Sequence, residues 1–201
     1  MTLIREILER DLSKTIEEII KVNQTDEETV YKEITEYIAT TNIIDHYRTV
    51  LGKIATGPAI VRESEEKVGF WVSGFFGSGK SSFAKNLGYI VANPKVCGKP
   101  ASDLFKEQVH DERVTGFLDS INAKFNVELI MFDVAVEQHG SSERFELIVY
   151  RQFLKHLGYS SDLDIAELEI ELEDEGSGKE KGKKLQRFFN KFAECFPDTK
   201  W

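Results

Sequence analysis

Between Gly74 and Ser81 the chain reads Gly-Phe-Phe-Gly-Ser-Gly-Lys-Ser, the spacing GxxxxGK[ST] without a gap. That spacing serves phosphate. Glycines allow backbone angles that turn successive N–H groups inward, and a helix beginning at the lysine aims its positive end at the same point. Lys80, the catalytic candidate, is expected to bridge the β- and γ-phosphates of a nucleoside triphosphate, and the Ser81 hydroxyl to be a ligand of Mg2+. Ser82 adds a contact to the α-phosphate. The cofactor-binding set is therefore Gly74, Phe75, Phe76, Gly77, Ser78, Gly79, Lys80, Ser81 and Ser82, with ATP and Mg2+ as the cofactors. A glycine turn needs no ligand by itself, but a lysine at a helix start is unfavourable beside the helix dipole unless an anion is present.

Hydrolysis asks for more than this loop. Mg2+ normally also rests against a carboxylate that ends a second strand, and Asp133, closing "ELIMFD", is the only obvious candidate as a further metal ligand. Val134 follows where many ATPases place a water-activating Glu, and the reading in which Asp133 merely ends a strand is the stronger of the two. Arg144 and Arg151 read as a solvated helix face rather than as an arginine finger, and His139 as a plain loop histidine.

The elements that must position these groups follow from periodicity. Val68 to Val72 is nearly all apolar, as in a parallel strand buried on both faces. Phe83, Leu87, Ile90 and Val91 mark the helix after the loop, which Asn93-Pro94 stops. Residues 95–125 read as mixed, helical around Asp103 to Val109 and Val114 to Ala123, and "VELIMFDV", Val127 to Val134, reads as a second apolar strand. The expected fold is thus α/β: a partial P-loop NTPase core, a mostly parallel sheet flanked by helices, preceded by a mainly helical N-terminal region.

That region spans 1–60. "LIREILER" is a short amphipathic turn, and "TIEEIIKV" stays open between strand and helix. Thr25, three residues before Glu28, makes a capping box for a helix from Asp26 to Ala39; Thr41 or Asn42 caps a second, with Ile44, Tyr47, Leu51 and Ile54 on one face until Gly57-Pro58. Residues 61–67 are a linker and 68–160 the first part of the core. Within it Ser141 or Ser142 caps a helix whose wide apolar surface, Phe145, Ile148, Val149, Phe153 and Leu157, belongs in a core, with Gly158 past its end. Residues 161–201 carry an acidic stretch open between strand and helix, the basic connector "GSGKEKGKK", and a helix with Leu185, Phe188, Phe189, Phe192 and Phe196 on one face.

With 201 residues the chain suits one core, or one domain with an appendage. A formal net charge of −9 repels polyanions, so this segment as a whole does not drive adhesion to nucleic acid, though local basic patches stay open. Cys97 and Cys195 stand apart with no CxxC, as ordinary reduced thiols. The first residues mix acids and bases with no apolar h-region, and no window approaches 18 apolar residues, so a cytoplasmic protein without membrane contact is expected.

At "GFWVSGFFGSGKSSFAKNLGY" the chain resembles the large P-loop ATPases of bacteriophage-exclusion (BREX) defence systems, the BrxC/PglY type. The double Phe of the loop is far more particular than GxxxxGKS, and the likeness extends through "DLSKTIEEIIKVNQTDEETVYKEITEYIATTNIIDHY" upstream and "IMFDV" and "LGY" downstream. The resemblance implies an N-terminal fragment of a longer ATPase that acts on DNA with a methyltransferase and other defence subunits. It also makes "IMFDV" the second strand rather than the metal-binding one. Ring formation, common among such ATPases, keeps a homo-oligomer open by analogy. Two other classes stand beside this one: a small-molecule kinase or nucleotide transferase, which would need an Arg-rich lid where residues 100–125 offer only Arg113, and a non-catalytic nucleotide-binding interaction module.

Overall fold

The computed structural model describes residues 25–57, 69–140, 142–174 and 183–195. Among the described residues run nine helices and one two-stranded antiparallel sheet. They gather into two units, the first ending at Met131 and the second beginning at Phe132. "LIREILER", "TIEEIIKV", the 61–67 linker, Val68, most of the basic connector and Phe196 lie outside the described residues, as do the side chains of Leu185 and Phe192.

In the first unit, α1 (Glu27–Thr35) and α2 (Thr41–Thr56) lead into α3 (Lys80–Ala92). Asp26 rather than Thr25 caps α1, its carboxylate accepting from the Thr29 N–H at 2.9 Å. An aspartate at that position adds negative charge beside the positive helix end, which threonine cannot. The second helix ends at Gly57 and the third at Asn93, where the sequence signals put them; Asn93 adopts φ 52, a left-handed cap that asparagine tolerates. A hairpin that periodicity did not announce follows, β1 (Lys95–Val96) pairing with β2 (Lys99–Pro100), its two-residue turn made by Cys97 and Gly98 at φ 48 and 82. Both turn angles are positive, as a primed hairpin turn requires. Then come α4 (Ala101–Gln108) and α5 (Glu112–Lys124).

The helices share one core. Ile34 of α1, Tyr47 and Leu51 of α2, Ile90 of α3, Phe105 of α4 and Leu118 and Ile121 of α5 are wholly buried. Tyr47 stands at its centre, its ring 4.6 Å from that of Phe83 and 4.9 Å from that of Phe105, so three helices meet on one aromatic cluster. The 27–56 segment and the helix that follows the glycine loop are therefore packed together rather than strung in series.

An ion pair and cap lock α2 to α5. Asp111 accepts from the Val114 N–H at 3.0 Å and from Arg48 of α2 at 2.5 Å. The Arg48 hydrogen bond, then the Val114 amide, hold the Asp111 carboxyl down to about 2. Its unfolded value is about 3.9, so its stabilisation is fully present above that pH and is lost as pH falls through the folded value. Asp111→Ala should cost about 1–2 kcal/mol near neutrality through the lost cap and pair. Asp111→Asn keeps an oxygen for the cap but no charge, so its melting temperature should fall less steeply than the wild type's between about pH 4 and pH 2. Equal slopes in that window would show that the charge does not matter.

Among the described residues there is no parallel sheet, contrary to expectation. The described sheet is only the β1–β2 hairpin, and the two apolar runs taken for core strands, 69–72 and 127–133, carry no ladder. The chain is mainly helical, not an α/β core with a parallel sheet. The physical reason is pairing: an extended run becomes a strand only when a neighbour takes its backbone N–H and C=O groups. Phe70, Trp71 and Val72 are moreover exposed, Trp71 at 92%, so the apolar run does not mark a doubly buried segment. The second run behaves differently, because Val127 and Leu129 pack against the helical core without pairing.

The second unit contains α6 (Val134–Glu137), α7 (Phe145–His156), α8 (Leu163–Asp174) and α9 (Lys183–Cys195). Gly158, at φ 91, ends α7 as expected, but Arg144 rather than a serine occupies the N-cap. The wide apolar face of α7 is only partly covered: Ile148 and Leu154 are buried, while Phe145, Phe153 and Leu157 are about half exposed. The acidic stretch resolves as helix, consistent with the high helix propensity of Leu and Glu. Among the described residues no helix is long and apolar enough to cross a membrane.

Candidate phosphate-binding site

Gly79 is the N-cap of α3 and sits at φ 82, a left-handed angle that an L side chain resists. It offers no side chain to cap the helix. The first helical bond runs from the Phe83 N–H to the Gly79 carbonyl at 2.9 Å, so the N–H groups of Lys80, Ser81 and Ser82 have no intrahelical acceptor. Such a bare first turn combines unsatisfied donors with the positive dipole end, the two features that receive an anion. Gly77, at φ 75, bends the loop just before it, and the Ser78 N–H closes a turn on the Phe75 carbonyl at 3.2 Å.

Lys80 folds back over this loop. Its Nζ donates to the Phe75 carbonyl at 2.6 Å, within the same loop. Ser81 is exposed and Ser82 half-buried, the Ser82 carbonyl accepting from the Asn86 amide at 3.1 Å. At Gly74 a Cβ would come within 2.7 Å of the Ser78 Oγ, so that glycine lets the loop close on itself. Nine positions named from sequence, 74–82, thus form one continuous loop and helix start. Phe75 and Phe76 do not cradle it: they point to solvent, 91% and 98% exposed.

Gly79→Ala tests the loop's geometry. The added Cβ meets no neighbour, so the whole penalty is the left-handed backbone, about 1–2 kcal/mol. If that strain is relieved by turning the first amides of α3, nucleotide affinity should fall about tenfold. Calorimetric titration of the folded variant would read it.

What holds α3 in place is equally specific. Phe83 stacks on Tyr47, and at Gly88 a Cβ would meet Leu129 and Met131 at 2.8 and 2.9 Å, so the extended 127–131 segment lies directly against the helix. Lys85, only 1% exposed, pairs with Glu33 of α1 at 2.8 Å. Burial pushes the Tyr89 phenol up to about 12, with the Glu33 and Asp26 charges adding to it. Sequence reasoning missed Lys85, because a lysine inside an apolar helical pattern reads as a solvent-facing residue.

Asp133 belongs to the second unit and does not end a strand. It caps α6, its carboxylate accepting from the Ala135 N–H at 2.9 Å. Among the described residues no three His, Cys, Asp or Glu side chains gather as they would around a metal ion. Of the two metal-ligand candidates, Ser81 lies in the first turn of α3 and Asp133 at the start of α6.

Arg151 overturns another expectation. It is buried, 6% exposed, rather than on a solvated face, and it pairs with Glu143, touches the His139 Nδ1 and donates to the Glu137 carbonyl at 3.2 Å. Gln152 donates to the Glu137 carboxylate at 2.6 Å. These bonds occupy the guanidinium in a clasp between the α6–α7 loop and α7, beside an open cleft of about 400 Å3 lined also by Ser161, Asp162 and Asp164. Arg144 is the exposed one, paired with Glu146 at 3.2 Å.

Compared with known proteins, the chain matches no protein-family model and no solved structure.

Proposed function

We propose that this chain binds Mg2+ and ATP through the loop Gly74–Ser82, as the ATP-binding segment of a large ATPase of the bacteriophage-exclusion type. One observation carries the reading: a bare first helical turn, capped by a left-handed glycine, with the Lys80 ammonium folded back onto the Phe75 carbonyl of the same loop. Phosphate oxygens would take those N–H groups and replace the Phe75 carbonyl as the acceptor for Lys80. When bound, the nucleotide supplies a phosphoanhydride and Mg2+ its charge, with the Ser81 hydroxyl as a protein ligand to the metal. The rest of the family assignment rests on sequence resemblance: a cytoplasmic assembly of defence subunits, a possible homo-oligomer, and action on DNA through the complete assembly rather than through this acidic segment, with its net charge of −9.

Binding without turnover is the second reading. Its support is in the sequence, where Val134 follows Asp133 at the place many ATPases give to a water-activating Glu. Phosphate release from the chain, measured with ATP and Mg2+ for the wild type and Lys80→Ala, separates the two. Release that disappears in the variant assigns turnover to this loop. Retained ATP affinity with no release leaves a nucleotide-binding module, and no affinity at all refutes both readings.

A further inference from the structure

We propose that Lys85, through its buried ion pair with Glu33, is the positioning residue that fixes the phosphate-loop helix on α1 and makes α1 respond to loop occupancy. This rests on the nucleotide reading of the loop. Lys85 lies five residues past Lys80 on the same helix, about 7.5 Å along its axis. Its Nζ stands 2.8 Å from each of the Glu33 carboxylate oxygens, with Lys85 1% and Glu33 15% exposed.

Stability alone does not account for such a pair. Lysine is almost never fully buried, and desolvating both charges offsets most of their attraction, so a well-packed apolar pair would hold the two helices at least as firmly. What the pair adds is a fixed partner: it ties one point of α3 to one residue of α1, whereas an apolar pair can repack with a small shift of either helix. A tilt or shift of α3 carries the Lys80, Ser81 and Ser82 amides with it, because they point along the helix axis. Tyr89, one turn beyond Lys85, is buried as well, so this part of α3 is enclosed by the fold.

The same linkage runs in the other direction. A ligand that binds best when α3 has one orientation stabilises whatever holds that orientation, and linkage makes the effect reciprocal. Occupancy of the loop should therefore steady α1, an element that carries none of the loop's residues.

The test uses the full chain and Mg2+–ATP. In the wild type, saturating nucleotide should slow hydrogen exchange in the α1 amides, Glu27–Thr35, at least severalfold; unchanged exchange there, with nucleotide bound, overturns the proposal whatever the variants do. Lys85→Met alone removes one half of a buried ion pair and can fail to fold, so the informative variant is Lys85→Met with Glu33→Leu. It should melt close to the wild type yet bind Mg2+–ATP about tenfold more weakly and lose the protection of α1. Wild-type affinity and wild-type protection in that double variant would reduce the pair to a structural contact and overturn the proposal. A wild-type chain that binds no Mg2+–ATP fails at the loop itself, a different result from one that binds but leaves α1 unaffected.

Discussion

Lys80→Ala should weaken Mg2+–ATP binding by about 10- to 100-fold while leaving the fold nearly unchanged. The affinity loss follows from removing a cation that would make charge-assisted hydrogen bonds to phosphate, worth about 1.5–3 kcal/mol, at 1.4 kcal/mol per decade. The small cost to folding follows from where the side chain is. Its single protein hydrogen bond goes to the Phe75 carbonyl at the exposed loop, and Lys80 is absent from the buried core. Isothermal titration gives the first quantity and thermal melting the second. A variant with unchanged affinity would remove Lys80 from the site, and a variant that melts much lower would show that the lysine is structural.

Phe105→Ala has the largest expected effect on stability. The ring is wholly buried, 4.9 Å from Tyr47 and 6.2 Å from Tyr37, and its removal leaves a cavity where α1, α2, α3 and α4 come together. Such truncations cost about 3–5 kcal/mol, a large share of the 5–15 kcal/mol that typical domains possess. Because Tyr47 also contacts Phe83 of α3, the loss should reach the loop helix. Guanidinium unfolding should show the midpoint shifted down for far-ultraviolet ellipticity and for ATP binding together. If binding survives conditions that melt the remaining helices, α3 does not depend on the shared core.

The site was more legible in the sequence than the fold around it. GxxxxGKS fixes a local backbone problem, and Gly77 and Gly79 solve it with the positive φ angles that only glycine takes easily. Three helix ends were legible for the same local reason, Gly57, Asn93 and Gly158 stopping helices where they stand, whereas α1, read as running to Ala39, stops at Thr35 with no such residue to mark it. Sheet formation is not local. Val68–Val72 and Val127–Val134 look like strands because their side chains are apolar and β-branched, but a ladder needs partners elsewhere in the chain, which composition cannot supply. The acid-rich 163–174 segment went the other way, its Leu-Glu alternation fitting either period until the helix settled it.

Charge was the least legible feature. Arg151 and Lys85 look like surface residues in any helical projection, yet each is buried against a carboxylate, Glu143 or Glu33, that lies eight or fifty-two residues away in sequence. The partner, not the residue type, decides burial for a cation. Asp133 differs in another way: read as the end of a strand, it is the N-cap of α6, a local role that the apolar run before it does not announce.

The phosphate-loop assignment is most directly tested by backbone amide NMR of the wild-type chain titrated with ATP and Mg2+. Saturable shifts centred on Gly77, Gly79, Lys80, Ser81 and Ser82, with one apparent affinity, are the expected result. Amides of this loop that stay in place at saturating nucleotide would contradict it.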